Sequence, residues 1–116
     1  MPYCKDPMRL QHMLNYAREV LELIQGRSRN DLAADGLLGP AAVRLLERLG
    51  AEAAGVSPDY QATYSLIPWS QLSGLRNPPA QGYAAVDKDI LWKFLSQDLP
   101  GVVQELQVTI LRLSAT

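Results

Sequence analysis

The chain has 116 residues, 47% of them hydrophobic, and a formal net charge of −1 at pH 7. This length predicts one domain spanning 1–116. The near-neutral charge excludes a protein that coats nucleic acid through bulk positive charge, so any RNA would have to be held at a few local arginines.

The first 26 residues have a strong helical pattern. Asp6-Pro7 supplies an N-cap and a proline at the first helical position, and Gly26 supplies a C-terminal cap. Between them, apolar residues recur at the spacing of one helix face. They are Leu10, Met13, Leu14, Ala17, Leu21 and Ile24. A first helix is therefore predicted over roughly 7–26.

The next stretch predicts a short helix and then a long one. After a polar break, a turn of helix is expected at 31–35, and Pro40 can open the second long helix. Its apolar face contains Ala42, Leu45, Leu46, Leu49 and Ala53. Small residues gather near its end, at Gly50, Ala51, Ala53 and Ala54. They either permit close approach of another helix or mark a frayed end.

Prolines punctuate the middle of the chain. Ser57-Pro58 predicts a capped short helix near 58–64. Pro68 opens another short helix, expected to run to about Arg76. Pro78-Pro79 then interrupts any continuation, because neither ring nitrogen can donate a helical hydrogen bond.

A final helical region is predicted to begin at Val86 or Asp87. Its apolar positions are Ile90, Leu91, Phe94 and Leu95, followed by Leu99, Val102, Val103, Leu106, Ile110 and Leu113. Pro100 predicts a kink or a fresh start near Asp98. Because no strand-type alternation competes, the predicted fold is all-α, an antiparallel four-helix bundle with short additional helices.

Few isolated side chains point to chemistry. Trp69 and Trp92 are interpreted as bundle packing, and His12, about 200° around the first helix from Leu10, as a solvated or interface residue. One histidine and one cysteine, Cys4, cannot build a disulfide framework or zinc site, so no cofactor or metal is predicted. A lone thiol without a signal segment or an 18-residue apolar run predicts a cytoplasmic protein.

Several segments of the chain form a recognisable pattern through their order and spacing. They are residues 6–14, 45–50, 56–58, 67–77, 82–83, 86–87 and 89–92. Together they resemble the HepT-like family of the HEPN superfamily. Members are small all-helical proteins usually found beside a minimal nucleotidyltransferase called MNT. The resemblance implies a toxin–antitoxin component, a homodimer and an MNT-type nucleotidyltransferase antitoxin as partner.

The family's Arg-x4-His motif falls on Arg76 and Gln81. In the family, its two residues converge on a scissile RNA phosphate, which the neighbouring ribose 2′-hydroxyl attacks without a metal. Arg76 matches the phosphate-binding arginine and Asn77 the polar residue beside it. Tyr83 matches the tyrosine that the partner modifies with AMP in some members. Gln81 replaces the catalytic histidine and cannot shuttle a proton.

Two further departures from the family pattern affect the same region. Pro78-Pro79 stands where helix usually continues toward the histidine. Residues 50–55 replace a Gly-Glu-Ala-Ala-Asn-Arg-like stretch, so that Ala51 takes the acidic position and Gly55 the basic one. Glu52 is the candidate substitute for the acidic residue, one position along and about 100° away on a helix.

Three hypotheses follow. The first is a HepT-like protein with weakened or lost RNA cleavage that still dimerises and binds its antitoxin. The second is an active endoribonuclease in which His12 or a tyrosine compensates for Gln81. The third is a non-catalytic helical module that binds a nucleotide, RNA or protein.

Overall fold

The computed structural model describes residues 5–76 and 86–115. Within them lie helices α1 (Asp6–Ile24), α2 (Arg29–Ala34), α3 (Leu38–Gly55), α4 (Pro58–Thr63), α5 (Trp69–Gly74), α6 (Lys88–Lys93) and α7 (Leu99–Ser114). One π-helical segment, Phe94–Asp98, joins α6 to α7. The described residues contain no strand, so the predicted all-α class is confirmed.

The core lies between α1, α3 and α7, and α5 packs against α3. The predicted apolar stripes fill it, because side chains three and four positions apart share one helix face. Fully enclosed members include Leu10, Met13, Leu49, Leu72, Leu95, Leu99 and Leu106. Trp69 is buried, with its indole N–H donating to the Tyr64 carbonyl at 3.0 Å, and Trp92 packs against the core. Both tryptophans thus have the predicted packing role.

The start of α1 differs from the prediction. Asp6 is the first residue of the helix, and the N-cap position falls on Lys5 without a side-chain cap. The Asp6 carboxylate is buried and instead accepts hydrogen bonds from Ser57, at 3.0 Å from its backbone N–H and 2.6 Å from its hydroxyl. A partner 51 positions away has replaced the local cap. The bond also places the start of α1 beside the end of α3, so these helices run antiparallel.

Other boundaries agree more closely. Gly26 has a φ of +74°, as expected of the glycine that ends α1. Ser57 caps α4 by accepting from the Tyr60 backbone N–H, and Asp87 caps α6 by accepting from the N–H groups of Asp89 and Ile90. Helix α3 begins at Leu38, two residues before Pro40, and continues to Gly55. Helix α5 ends at Gly74, two residues short of the predicted Arg76.

Pro100 produces the expected irregularity near Asp98. It lies in the first turn of α7, directly after the π-helical segment. Because proline has no N–H to donate, the wider turn before it accommodates the missing hydrogen bond without ending the helical run. Residues 88–114 therefore form one continuous helical rod with a local widening.

None of the described helices is both long enough and apolar enough to cross a bilayer.

Candidate functional site

The structure describes only part of the predicted motif. Arg76 is the last described residue before the interval 77–85. Asn77, Gln81 and Tyr83 lie outside the described residues, as does Pro78-Pro79. The geometry of the site is therefore built from Arg76 and from the helices that position it.

Gly50 fixes the backbone of Arg76. A Cβ atom added at Gly50 would lie 2.5 Å from the Arg76 backbone nitrogen, 2.7 Å from the Leu72 carbonyl oxygen and 2.9 Å from the Leu75 carbonyl carbon. All three are backbone atoms, which cannot move aside as a side chain can. The small residues near the end of α3 therefore do permit a close approach, and α3 is not frayed there. This contact therefore fixes the backbone position of Arg76, two residues after the end of α5.

The Arg76 side chain is exposed. Within residues 5–76 and 86–115, no carboxylate lies within ion-pair distance of its guanidinium. Such a cation is free to accept a phosphate. A cavity of about 590 Å³ between α5 and α6 is walled by Leu75, the residue before Arg76, together with Ile90, Phe94 and others.

A second polar cluster joins α1 to α3. The His12 Nδ1 atom lies 3.2 Å from Glu52 Oε2, and the Arg9 guanidinium lies 3.7 Å from the same oxygen. His12 is 43% exposed and Glu52 21%. A carboxylate at Nδ1 favours the tautomer with its proton on that nitrogen and leaves Nε2 as the free acceptor. The prediction that His12 is a polar residue off the apolar stripe agrees with this position.

Arg9 also covers Gly55. A Cβ atom at Gly55 would collide with the Arg9 guanidinium. The cation from α1 thus occupies the space that a side chain at position 55 would take. Sequence reasoning missed Arg9; the signal available was its spacing of three from His12, which places both on one face of α1.

The two sets of residues lie on different sides of α3. Gly50 faces α5 and Arg76, whereas Glu52, two positions on and about 200° around the helix, faces α1. Glu52 therefore does not point to Arg76. Among the described residues, no group of three or more His, Cys, Asp or Glu side chains is arranged to hold a metal ion.

Comparison with known proteins gives the family. A family model described as "Ribonuclease HepT-like" matches residues 13–109. Methanocaldococcus jannaschii "Putative RNase MJ1380" is 26% identical over 99 residues, covering 85% of this chain and 91% of its own length. Thermococcus cleftensis "Probable ribonuclease HepT" is 28% identical over 88 residues, covering 72% of this chain and 80% of its own. No solved structure matches significantly. The chain belongs to the HepT-like ribonuclease family.

Proposed function

We propose that this protein is a HepT-like toxin–antitoxin component that binds RNA at Arg76 but has weakened or lost cleavage activity, because Gln81 replaces the motif histidine. The observation that carries this proposal is an exposed Arg76, held by Gly50 and without an ion-pair partner among residues 5–76 and 86–115, in a chain that the HepT-like family model matches over 13–109. The finer parts of the proposal follow from the family pattern at positions 76–83.

The reaction expected of the family explains why position 81 matters. The ribose 2′-oxygen forms a bond to the adjacent phosphorus while the bond to the 5′-oxygen breaks, giving a 2′,3′-cyclic phosphate and a 5′-hydroxyl. One group must take the 2′ proton and another must protonate the leaving oxygen. Arg76 can stabilise the charge that develops on the phosphate. Gln81 can only donate and accept hydrogen bonds.

The cavity that Leu75, the residue before Arg76, helps to wall supports RNA as the ligand. It is large enough for a nucleobase, and its apolar residues suit the face of a base, while the carboxylates of Asp87 and Asp98 also line it. One guanidinium a single residue along the chain from this cavity wall is a local site. It fits a chain whose overall charge is close to zero.

Compensation by His12 remains the second hypothesis. Its oriented imidazole, with Nε2 free of partners in the described parts of the chain, is the observation that favours it. Its position on the side of α3 away from Gly50 weighs against a role at the Arg76 of the same chain. The scaffold hypothesis retains the Arg76 site and the cavity but assigns them no reaction.

The proposed partners are a second copy of the chain and an MNT-type nucleotidyltransferase antitoxin in the cytoplasm. Tyr83 is the proposed AMP acceptor. After co-expression with the cognate nucleotidyltransferase, intact-mass analysis should show one added AMP, and Tyr83→Phe should remove it. An unmodified chain, or an adduct that survives this substitution, would contradict the assignment.

The central test compares RNA cleavage by this chain, Gln81→His and Arg76→Ala. We expect the unchanged chain to cleave weakly or not at all, Gln81→His to cleave faster if 76–81 keeps the family geometry, and Arg76→Ala to bind RNA more weakly. Arg18→Ala, an exposed arginine elsewhere, is the control. Measurable RNA cleavage by the unchanged chain, at a rate comparable to that of Gln81→His, would overturn the proposed loss. Cleavage that requires His12 would favour the second hypothesis.

A further inference from the structure

The cavity between α5 and α6 continues into a second cavity, which we call the polar cavity. Its volume is about 430 Å³, and it lies between the start of α5 on one side and the π-helical segment and α7 on the other. Gln71 and Asp98 line both cavities, so the two share a wall. The hollow that begins at Leu75, next to Arg76 in the chain, therefore extends past Gln71 and Asp98 into the polar cavity.

Five of the side chains that line the polar cavity are amides or carboxylates. They are Gln71, Gln97, Gln104, Asp98 and Glu105. Within residues 5–76 and 86–115, none of these side chains has an ion-pair or hydrogen-bond partner. The carboxylate oxygens are therefore open acceptors, and each amide has both a donor and an acceptor to offer.

The π-helical segment before α7 contributes to both cavities. Phe94, its first residue, lines the cavity between α5 and α6, whereas Asp98, its last residue, lies where the two cavities meet. A wider turn changes which residues share one face of a helix, and such turns are frequent at functional sites. On the opposite wall, Gln71 lies one helical turn, about 6 Å, from Leu75. An open acceptor and an amide are thus held on either side of the junction.

The carboxylates indicate which part of an RNA strand this junction suits. A carboxylate repels a phosphate, so Asp98 and Glu105 do not serve the backbone. The edges of the bases differ in what they present: adenine and cytosine have an amino group where guanine and uracil have a carbonyl. A carboxylate accepts a hydrogen bond from the amino group and has no proton to donate to the carbonyl. A neighbouring glutamine amide can complete a two-bond contact with the base.

We infer that the polar cavity binds an unpaired adenine or cytosine of the RNA, with Asp98 accepting from the base amino group and Gln71 contacting the same edge. The inference rests on the proposed function, because Arg76 holds a phosphate of the same strand. The cavity between α5 and α6 takes the face of one base, and the polar cavity takes the edge of a neighbouring base. This adds a base preference to a site whose arginine reads only phosphate.

Binding of two synthetic hexanucleotides to the full chain tests the inference. Hexacytidylate and hexauridylate with 2′-O-methyl riboses differ only in the hydrogen-bonding edges of their bases, and neither can be cleaved because no 2′-hydroxyl is free to attack. Fluorescence anisotropy should show hexacytidylate bound about five- to tenfold more tightly, at the lower end of what a good base contact gives. Asp98→Asn should make the two affinities nearly equal, since an amide can also donate to the uracil carbonyl. Gln71→Ala should weaken hexacytidylate binding more than hexauridylate binding.

A matched control separates base preference from general charge. Asp59→Asn removes the same charge at an exposed position outside both cavities and should keep the wild-type ratio of the two affinities. Equal affinities in the wild type, a preference for hexauridylate, or an unchanged ratio in Asp98→Asn or Gln71→Ala would overturn the inference. If Arg76→Ala then still weakened both hexanucleotides, the proposed RNA site would stand without the base preference. Absence of binding to both would contradict the proposed function itself, and the inference with it.

Discussion

The two sides of α3 hold their neighbours in different ways. Toward α5, Gly50 lies directly against backbone atoms, and Leu72, Leu75 and Arg76 leave no room for even one methyl group. Toward α1, helix α3 presents the partly exposed side chain of Glu52 and the exposed side chain of Arg48. One side is a backbone contact and the other is a set of polar side chains.

This difference separates positioning from recognition. A backbone contact cannot repack, so it holds Arg76 at one place but tolerates no added volume. Exposed side-chain contacts contribute little to stability, typically less than about 1 kcal/mol for an ion pair. They can change with little effect on the fold and are therefore suited to partner binding. The predictions below test that division.

The largest effect is expected at Gly50→Ala. Overpacking costs about 1–3 kcal/mol, and here the cost lies near the upper end because backbone must move. The helix propensity of alanine returns about 1 kcal/mol, so the net loss should be about 2 kcal/mol. Urea unfolding would measure it, and RNA affinity should fall as Arg76 shifts. In Gly74→Ala, the control, the new methyl group meets open space. Equal stability of the two variants would contradict the close approach.

The next largest loss of stability is expected for Asp6→Ala, which removes the hydrogen bonds between α1 and Ser57. Its carboxylate accepts both hydrogen bonds from Ser57 and is buried. Ser57 is half-buried, so water can replace part of the loss, and a cost of about 1 kcal/mol is expected. Asp59→Ala, an exposed acid in the first turn of α4, should cost less, about 0.3–0.5 kcal/mol. A smaller loss of stability for Asp6→Ala than for Asp59→Ala would contradict a stabilising role for the contact between α1 and Ser57.

Gly55→Ala is the matched counterpart of Gly50→Ala. The added methyl group again collides, but with the end of the Arg9 side chain, which can rotate away. We expect stability within about 0.5 kcal/mol of the wild type, since displacing a flexible side chain costs little and alanine favours the helix. A loss in urea unfolding as large as that of Gly50→Ala would show that Arg9 is held rigidly.

The sequence predicted the elements that depend on local pattern. Apolar periodicity located α1, α3 and the long C-terminal run. Ser57 was predicted as a cap, and Val86 or Asp87 as the start of the last run; the caps at Ser57 and Asp87 have partners two or three residues away. Pro100 predicted the irregularity before α7. For these features the determining physics lies within one or two turns of helix.

The structural features that the sequence pattern did not predict depend on contacts between residues far apart in the chain. Asp6 has the usual sequence of an N-cap, yet Ser57 takes its carboxylate once α1 and α4 are packed together. The contact between His12 and Glu52 spans 40 positions and requires the antiparallel register of two helices. The close approach at Gly50 was one of two readings of the same small residues, and only the position of α5 distinguishes them.

The smallest effect on stability is expected at the start of α3, in the turn that connects α2 to it. The Leu37 backbone N–H donates to Asp35 at 2.9 Å, and this bond, helped by the Leu38 N–H and the Arg27 guanidinium, lowers the pKa of Asp35 despite partial desolvation. A lowered folded-state pKa means that the carboxylate stabilises the fold above its unfolded pKa, and that this contribution is lost as pH falls through the folded pKa.

Asp35→Asn should therefore lower the urea midpoint slightly near neutral pH and flatten its decline in acid. Comparing the midpoints of wild type and variant between about pH 6 and pH 3 measures this difference. The gap should narrow toward the acidic end, because the stabilising contribution of the wild-type carboxylate is progressively lost as the pH falls below its unfolded pKa toward its lower folded pKa. Asp59→Asn is the control at an exposed carboxylate. A constant gap across the range would mean that the turn before α3 depends on the shape of Asp35 rather than on its charge.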